Sequence, residues 1–215
     1  MDGLAIILSG LVGLAIGSFL NVVILRWPRG ESIVSPASHC PSCETPLRWY
    51  HNVPLVSWLA LRGRCATCSA WIGWQYPLVE GATAAIWAGN VAAYGLVPQA
   101  VHAIVFLTLL LAIAVADARF YIIPDRLSLG GAVLGVALSF LPGDPTLPES
   151  VLGAVIGGGA LWLVAILGTL AFKKEAMGGG DIKMMTMIGA FLGWKGALLT
   201  VFLGALAGTL VFVPL

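Results

Sequence analysis

Cysteine occurs four times in this 215-residue chain, as Cys40-Pro-Ser-Cys43 and Cys65-Ala-Thr-Cys68. Two CxxC pairs with 21 residues between them suit a tetrahedral zinc or a similar thiophilic metal, because each pair folds into a tight knuckle offering two thiolates to one ion. The alternatives are two disulfides or four unrelated thiols. A disulfide inside CxxC is strained, and the distribution of charge places this loop on a reducing side. Four thiolates leave no open position for a catalytic water, so the metal would be structural. His39 and His51 lie in the same loop as spare donors.

Carboxylates supply the second chemistry. Asp2, Glu31, Glu44, Asp144, Glu149 and Glu175 read as solvated loop residues, while Glu80, Asp117, Asp125 and Asp181 fall close to long apolar runs. A charged Asp within a membrane span costs roughly 2.5–3.5 kcal/mol at the centre, and less near an interface. Asp117 closes the apolar run that begins at Ile104, at a helix end where the macrodipole is negative and disfavours a carboxylate. A salt bridge to Arg119 or Arg126 is its structural alternative. Asp125 follows Pro124 and fits an N-cap, worth about 1 kcal/mol. Asp181 follows Gly178-Gly179-Gly180, where three glycines waste chain entropy unless the backbone bends sharply or approaches another group. No Gly-Lys-Ser/Thr follows, so a phosphate loop does not fit. Two carboxylates within reach of each other titrate apart and form an acid and a base, the chemistry of an aspartic peptidase. No rival nucleophile is present: every cysteine is in the loop, and His39, His51 and His102 suggest no Ser–His pair.

The elements that must position these groups cross a membrane. Hydrophobic residues make up 59% of the chain, charged residues 10%, and mean hydropathy is +0.97, where a soluble domain carries about a quarter charged residues. Apolar stretches run over 4–25, 76–96, 100–116, 127–141, 151–172, 182–194 and 196–213, the fourth and sixth being short for about 30 Å of hydrocarbon. Ten of the eleven basic residues fall in alternate loops, and only Lys195 lies opposite. The amino terminus is therefore expected outside the cytoplasm, with the cysteine loop inside. The first stretch has no basic n-region and exceeds a signal-peptide core, so it is expected to stay as a helix. The glycine pairs 13/17, 189/193 and 204/208 predict close helix packing.

With these residues in place the chain resembles the type IV prepilin peptidases (leader peptidase/N-methyltransferases), which are GxGD-type membrane aspartic peptidases. The likeness rests on Gly17-Ser-Phe-Leu-Asn21, His39-Cys-Pro-Ser-Cys43, Trp49 through Trp58, Arg62-Gly-Arg-Cys65-Ala-Thr-Cys68 and Tyr76-Pro-Leu-Val-Glu80. Asp117, Ile123-Pro-Asp125 and Gly178-Gly-Gly-Asp181-Ile-Lys183 complete it. It implies cleavage of the basic leader of type IV pilins and secretion-system pseudopilins after a glycine, at the cytoplasmic face of the bacterial inner membrane. It also implies methylation of the new amino terminus with S-adenosylmethionine. In the family pattern Asp117 and Asp181 are the catalytic pair, Asp125 belongs to the motif without being the main catalyst, and the cysteine loop goes with zinc and the methyltransferase half.

The expected architecture is all-α, a polytopic bundle of about six to seven spans with a small cytoplasmic zinc-binding insert. Residues 1–25 form the first helix, 26–75 the tetra-cysteine insert and 76–215 the peptidase core. Relatives continue with a final span bearing a Phe-Gly-Pro-Phe-like stretch, which is expected to be missing where this chain stops at Val213-Pro214-Leu215. The expected partners are the substrate precursors and membrane lipid, not nucleic acid. A proton- or cation-coupled transporter using the same aspartates is the rival reading, and a non-enzymatic assembly factor is a third. Mobility of the glycine run on substrate docking is expected to be blocked by a β-branched residue at Gly179.

Overall fold

Proline and glycine set the breaks between long apolar runs, and the computed structural model shows helices between them. It describes residues 3–175 and 177–212. Asp2, the end of the last expected span at Val213, and Pro214 with Leu215 lie outside the described residues. The helices are α1 (Gly3–Arg26), α2 (Val56–Ala60), α3 (Gln75–Tyr94), α4 (Pro98–Phe120), α5 (Asp125–Leu138), α6 (Leu147–Phe172) and α7 (Gly179–Phe212). Short 3-10 turns cover Trp27–Arg29 and Trp49–Asn52. No strand occurs among the described residues, so the expected all-α class holds. Two compact units divide the chain, Met1–Tyr121 and Ile122–Leu215.

In the first unit α1 lies against α3, and α4 packs on both. A Cβ added to Gly13 would lie 2.8 Å from Ala84 Cα, and one on Gly17 would lie 2.7 Å from Glu80 Cα. The helices therefore meet backbone to backbone, as this glycine pair predicts. Trp87 Nε1 donates to Thr108 Oγ1 at 3.3 Å, tying α3 to α4. Pro98 opens α4 where its missing N–H has no helical partner to lose. The helix ends at Tyr121, in the left-handed region (φ 55°), whose N–H caps the Asp117 carbonyl at 2.8 Å.

In the second unit α6 and α7 cross where Gly153 meets Gly189, so closely that a Cβ on Gly189 would fall 2.0 Å from the Gly153 carbonyl oxygen. Buried Ser150 Oγ donates to Ala190 O at 2.7 Å beside this crossing. Gly135 of α5 lies against the Phe191 ring of α7. Glu149, expected as a solvated loop residue, instead completes a capping box with Thr146 at the start of α6, where its Oε2 accepts from Thr146 N–H at 3.0 Å. Gly193 breaks α7 at φ 69°, leaving fourteen residues before it and nineteen after. Gly204 and Gly208, expected at a third close contact, have nothing within 4 Å of an added Cβ.

Among the described residues four helices are long and apolar enough to cross a membrane: Gly3–Arg29, Pro98–Phe120, Leu147–Phe172 and Gly179–Leu210. The expected six to seven spans are not reached by that measure. Each remaining expected segment is nevertheless helical. α3 carries Gln75, Glu80, Thr83 and Asn90, and α5 has 14 residues, about 21 Å at 1.5 Å per residue. Gly189→Ala should cost at least about 3 kcal/mol by forcing the crossing apart. Gly204→Ala, with open space around it, should be neutral or stabilise by up to about 1 kcal/mol. Thermal unfolding of the detergent-solubilised variants measures both.

Candidate active site and metal centre

The four cysteines meet. Both knuckles close in the same way: Cys40 N–H donates to Thr45 O at 3.0 Å and Glu44 N–H to Cys40 O at 2.9 Å. Cys65 N–H donates to Ala70 O at 2.9 Å and Ser69 N–H to Cys65 O at 3.0 Å. The residue after the second cysteine takes the left-handed region in each, Glu44 at φ 55° and Ser69 at φ 59°. One isolated bridge closes each loop, His39 with Pro46 and Arg64 with Trp71. The knuckles thus present their thiols in matched fashion.

All four Sγ atoms lie within 4.8 Å of one another, with Cys40–Cys68 at 3.8 Å and Cys43–Cys65 at 4.0 Å. Four sulfurs bound to zinc at about 2.3 Å are spaced at about 3.8 Å along each tetrahedral edge, so the cluster fits a metal ion. The four are free thiols here, with no disulfide between the cysteines of either pair. His39 is exposed, with its Nδ1 3.0 Å from Ala37 O, and His51 stacks edge-on against Tyr50; neither joins the cluster. Backbone N–H groups of Cys68 and Thr67 draw the Cys65 thiol down to about 6. Ala70 N–H also favours a Cys68 thiolate, but burial and the thiols of Cys43, Cys65 and Cys40 outweigh it and push Cys68 up to about 11. Four thiolates at this spacing would repel one another, and a bound cation would offset that repulsion.

The insert is anchored to α3. Buried Glu80 Oε2 accepts the N–H of Leu55 at 2.8 Å, and Leu55 sits at a positive φ of 57°. Trp58 Nε1 donates to Ile72 O at 3.1 Å within a cluster of Trp58, Trp71 and Trp74. Glu80 therefore has a structural partner that the sequence reading did not assign.

Asp117 lies in the last turn of α4, exposed, and Asp181 in the first turn of α7, half-buried. The first belongs to one compact unit and the second to the other. The Arg119 alternative for Asp117 is not taken, because that guanidinium donates to Gln75 Oε1. Gln75 Nε2 in turn donates to Asn21 Oδ1 at 3.3 Å, and Asn21 Nδ2 to Tyr76 O at 3.2 Å. This chain of polar groups links α1, α3 and the Asp117 end of α4. Its signal in the sequence was Asn21, a fully polar side chain inside an apolar run, which a membrane helix keeps only for a partner.

Asp125 is not the N-cap expected of it. Pro124 takes that position with extended backbone (ψ 127°), no side-chain cap bond forms, and Asp125 becomes the first helical residue. Its carboxylate instead receives Lys183 Nζ at 2.7 and 2.8 Å. Of the three glycines, only Gly180 makes a close approach, with an added Cβ 3.0 Å from Ile123 Cβ; Gly179 faces open space.

Residues 11–94 match the model of the bacterial peptidase A24 N-terminal domain, and residues 104–213 match that of the type IV leader peptidase family. The chain belongs to the type IV leader peptidase family. It is similar to a Myxococcus xanthus protein named prepilin leader peptidase/N-methyltransferase, with 38% identity over 93% of this chain and 60% of the relative. Relatives of the same name from Klebsiella pneumoniae and Pseudomonas aeruginosa are 40% and 38% identical, and the matches cover 86% and 94% of this chain and 84% and 78% of theirs. No solved structure matches.

Zinc added to the metal-free protein should protect Cys40, Cys43, Cys65 and Cys68 together from iodoacetamide, read by peptide mass mapping. Equal labelling with and without the metal would show that no shared site exists.

Proposed function

We propose that this chain is a membrane aspartic endopeptidase that removes the leader of type IV prepilins and pseudopilins, with Asp117 and Asp181 as its catalytic pair. The single observation behind this reading is the family match, which runs through both halves of the chain and carries Asp117 and Asp181 within its peptidase half. The names of the relatives support a second activity, N-methylation of the new amino terminus, with S-adenosylmethionine as the methyl-donating substrate. The transporter reading finds no support among them.

Work at an aqueous boundary is supported by the position of each aspartate within one turn of a helix end. Neither carboxylate is spent on a cap or an ion pair among the described residues. In the reaction one member of the pair stays ionised and takes a proton from the attacking water. The other holds a proton, donates it in a hydrogen bond to the scissile carbonyl, and the leaving amine is protonated as the bond breaks.

Cys40, Cys43, Cys65 and Cys68 would hold a zinc ion that supplies folding free energy to the insert, with no coordination position left for water. We place the insert at 26–75 between the first helix, 1–25, and a peptidase core, 76–215. The ten basic residues in alternate loops favour a bacterial inner-membrane protein with its amino terminus outside and the cysteine loop in the cytoplasm. That orientation puts the ends of α4 and α7 bearing the aspartates on the side where a basic leader would be exposed.

Incubation of the purified protein with a prepilin, followed on a gel, tests the reading. Asp117→Asn and Asp181→Asn should each lower leader removal by at least about 10²–10⁴-fold, the usual worth of a general acid or base. Cleavage by either variant at the wild-type rate would dismiss that residue as a catalyst.

A further inference from the structure

Lys183, the fifth residue of α7 and two beyond Asp181, forms a two-pronged ion pair with Asp125, the first residue of α5. The side chains remain 38% and 60% exposed. At that exposure solvent screening and the entropy of holding a long lysine offset most of the attraction, so the pair adds little to stability. Stability does not account for its geometry.

Its neighbours do. Gly180 lies against Ile123, two residues before Asp125. Segment 123–125 therefore touches α7 on both sides of Asp181, at Gly180 and at Lys183. Residues three apart lie on one helix face, about 60° from each other, whereas Asp181 is turned about 100° from Gly180 and about 160° from Lys183. Pinning the 180/183 face to α5 thus turns the 181 side chain away from α5. Some such pin is needed, because Gly178, Gly179 and Gly180 bring no side chain that could orient the turn. Pro124, extended and followed at once by helix, keeps the pinning segment rigid.

We propose that the Lys183–Asp125 pair, with the Gly180–Ile123 contact, positions Asp181 by fixing the rotation of the first turn of α7. The proposal rests on Asp181 being a catalytic aspartate. Lys183 and Asp125 are positioning residues: they act through the helix and not on substrate.

The test uses the full chain in detergent with a prepilin substrate, reading kcat, KM and the unfolding midpoint. Lys183→Ala and Asp125→Asn should each lower kcat by about 10²-fold, the scale of an ångström-level misplacement. KM should stay within about twofold, marking a loss felt in the chemical step and not in binding. The midpoint should not move. The double variant should be no slower than either single one, since both remove the same contact. Lys183→Arg, which can still grip the carboxylate, should recover most of the rate. Wild-type kcat in Lys183→Ala would overturn the proposal, as would a lowered midpoint accompanying the loss. So would a slow Lys183→Ala beside a fast Asp125→Asn, because Lys183 would then act by its own charge. Asp181→Asn is the separate arm: cleavage by that variant would remove the premise and the proposal with it.

Discussion

Hydrocarbon does not solvate a carboxylate, and a bundle of apolar helices can keep one only at a helix end or against a partner inside the protein. The acids of this chain divide along that line. Glu80 lies inside the first unit and receives a backbone N–H from Leu55. Asp117, Asp125 and Asp181 all lie in terminal turns, where water is near and the helix field is strongest. The field differs between the proposed catalysts. Asp117 stands at the C-terminal, negative end of α4 and Asp181 at the N-terminal, positive end of α7.

Placing a carboxylate at a terminus leaves the terminus itself to be held, and small residues and polar side chains do this differently. Gly13, Gly17, Gly153 and Gly189 let helices approach until backbones touch, which fixes spacing along the middle of each pair. They cannot fix the rotation of a last turn. That task falls to directional bonds: Asn21 with Gln75 and Arg119 near Asp117, and Asp125 with Lys183 near Asp181. Each unit thus has packed glycines along its length and a polar link at the end that carries its aspartate.

Much of this was legible in the sequence for a simple reason: apolar length and punctuation report helices directly. Expected stretches at 4–25, 76–96, 100–116 and 151–172 fall on α1, α3, α4 and α6, and the CxxC pairs form one cluster. Errors arose where one residue of register decides the chemistry. Pro-Asp reads equally well with either residue at the cap; Pro124 took it, which freed Asp125 for Lys183. Thr146-Leu-Pro-Glu149 was a capping box in plain sight, hidden by assigning it to a loop. The 204/208 glycine pair had the right spacing but nothing opposite it among the described residues, since spacing states what a face permits and not what meets it. Links such as Asn21–Gln75 were out of reach, because their 54-residue separation leaves no periodic trace.

The metal insert adds a constraint of another kind. Its 3-10 turns and the five-residue α2 are too short to be stable alone, and its cluster of three tryptophans leaves Trp71 and Trp74 largely exposed. Two matched knuckles gathered on one ion would replace the core that such a segment cannot build. The cost is four thiols crowded together: backbone N–H groups favour the Cys65 thiolate, while burial and the neighbouring thiols oppose that of Cys68. The anchor at Glu80 then transmits the order of the insert to α3, since the Leu55 N–H that it receives belongs to a backbone position held at positive φ. A bound ion would in this way stiffen the loop at the point where it meets α3, at Glu80, the same residue whose Cα packs under Gly17 of α1.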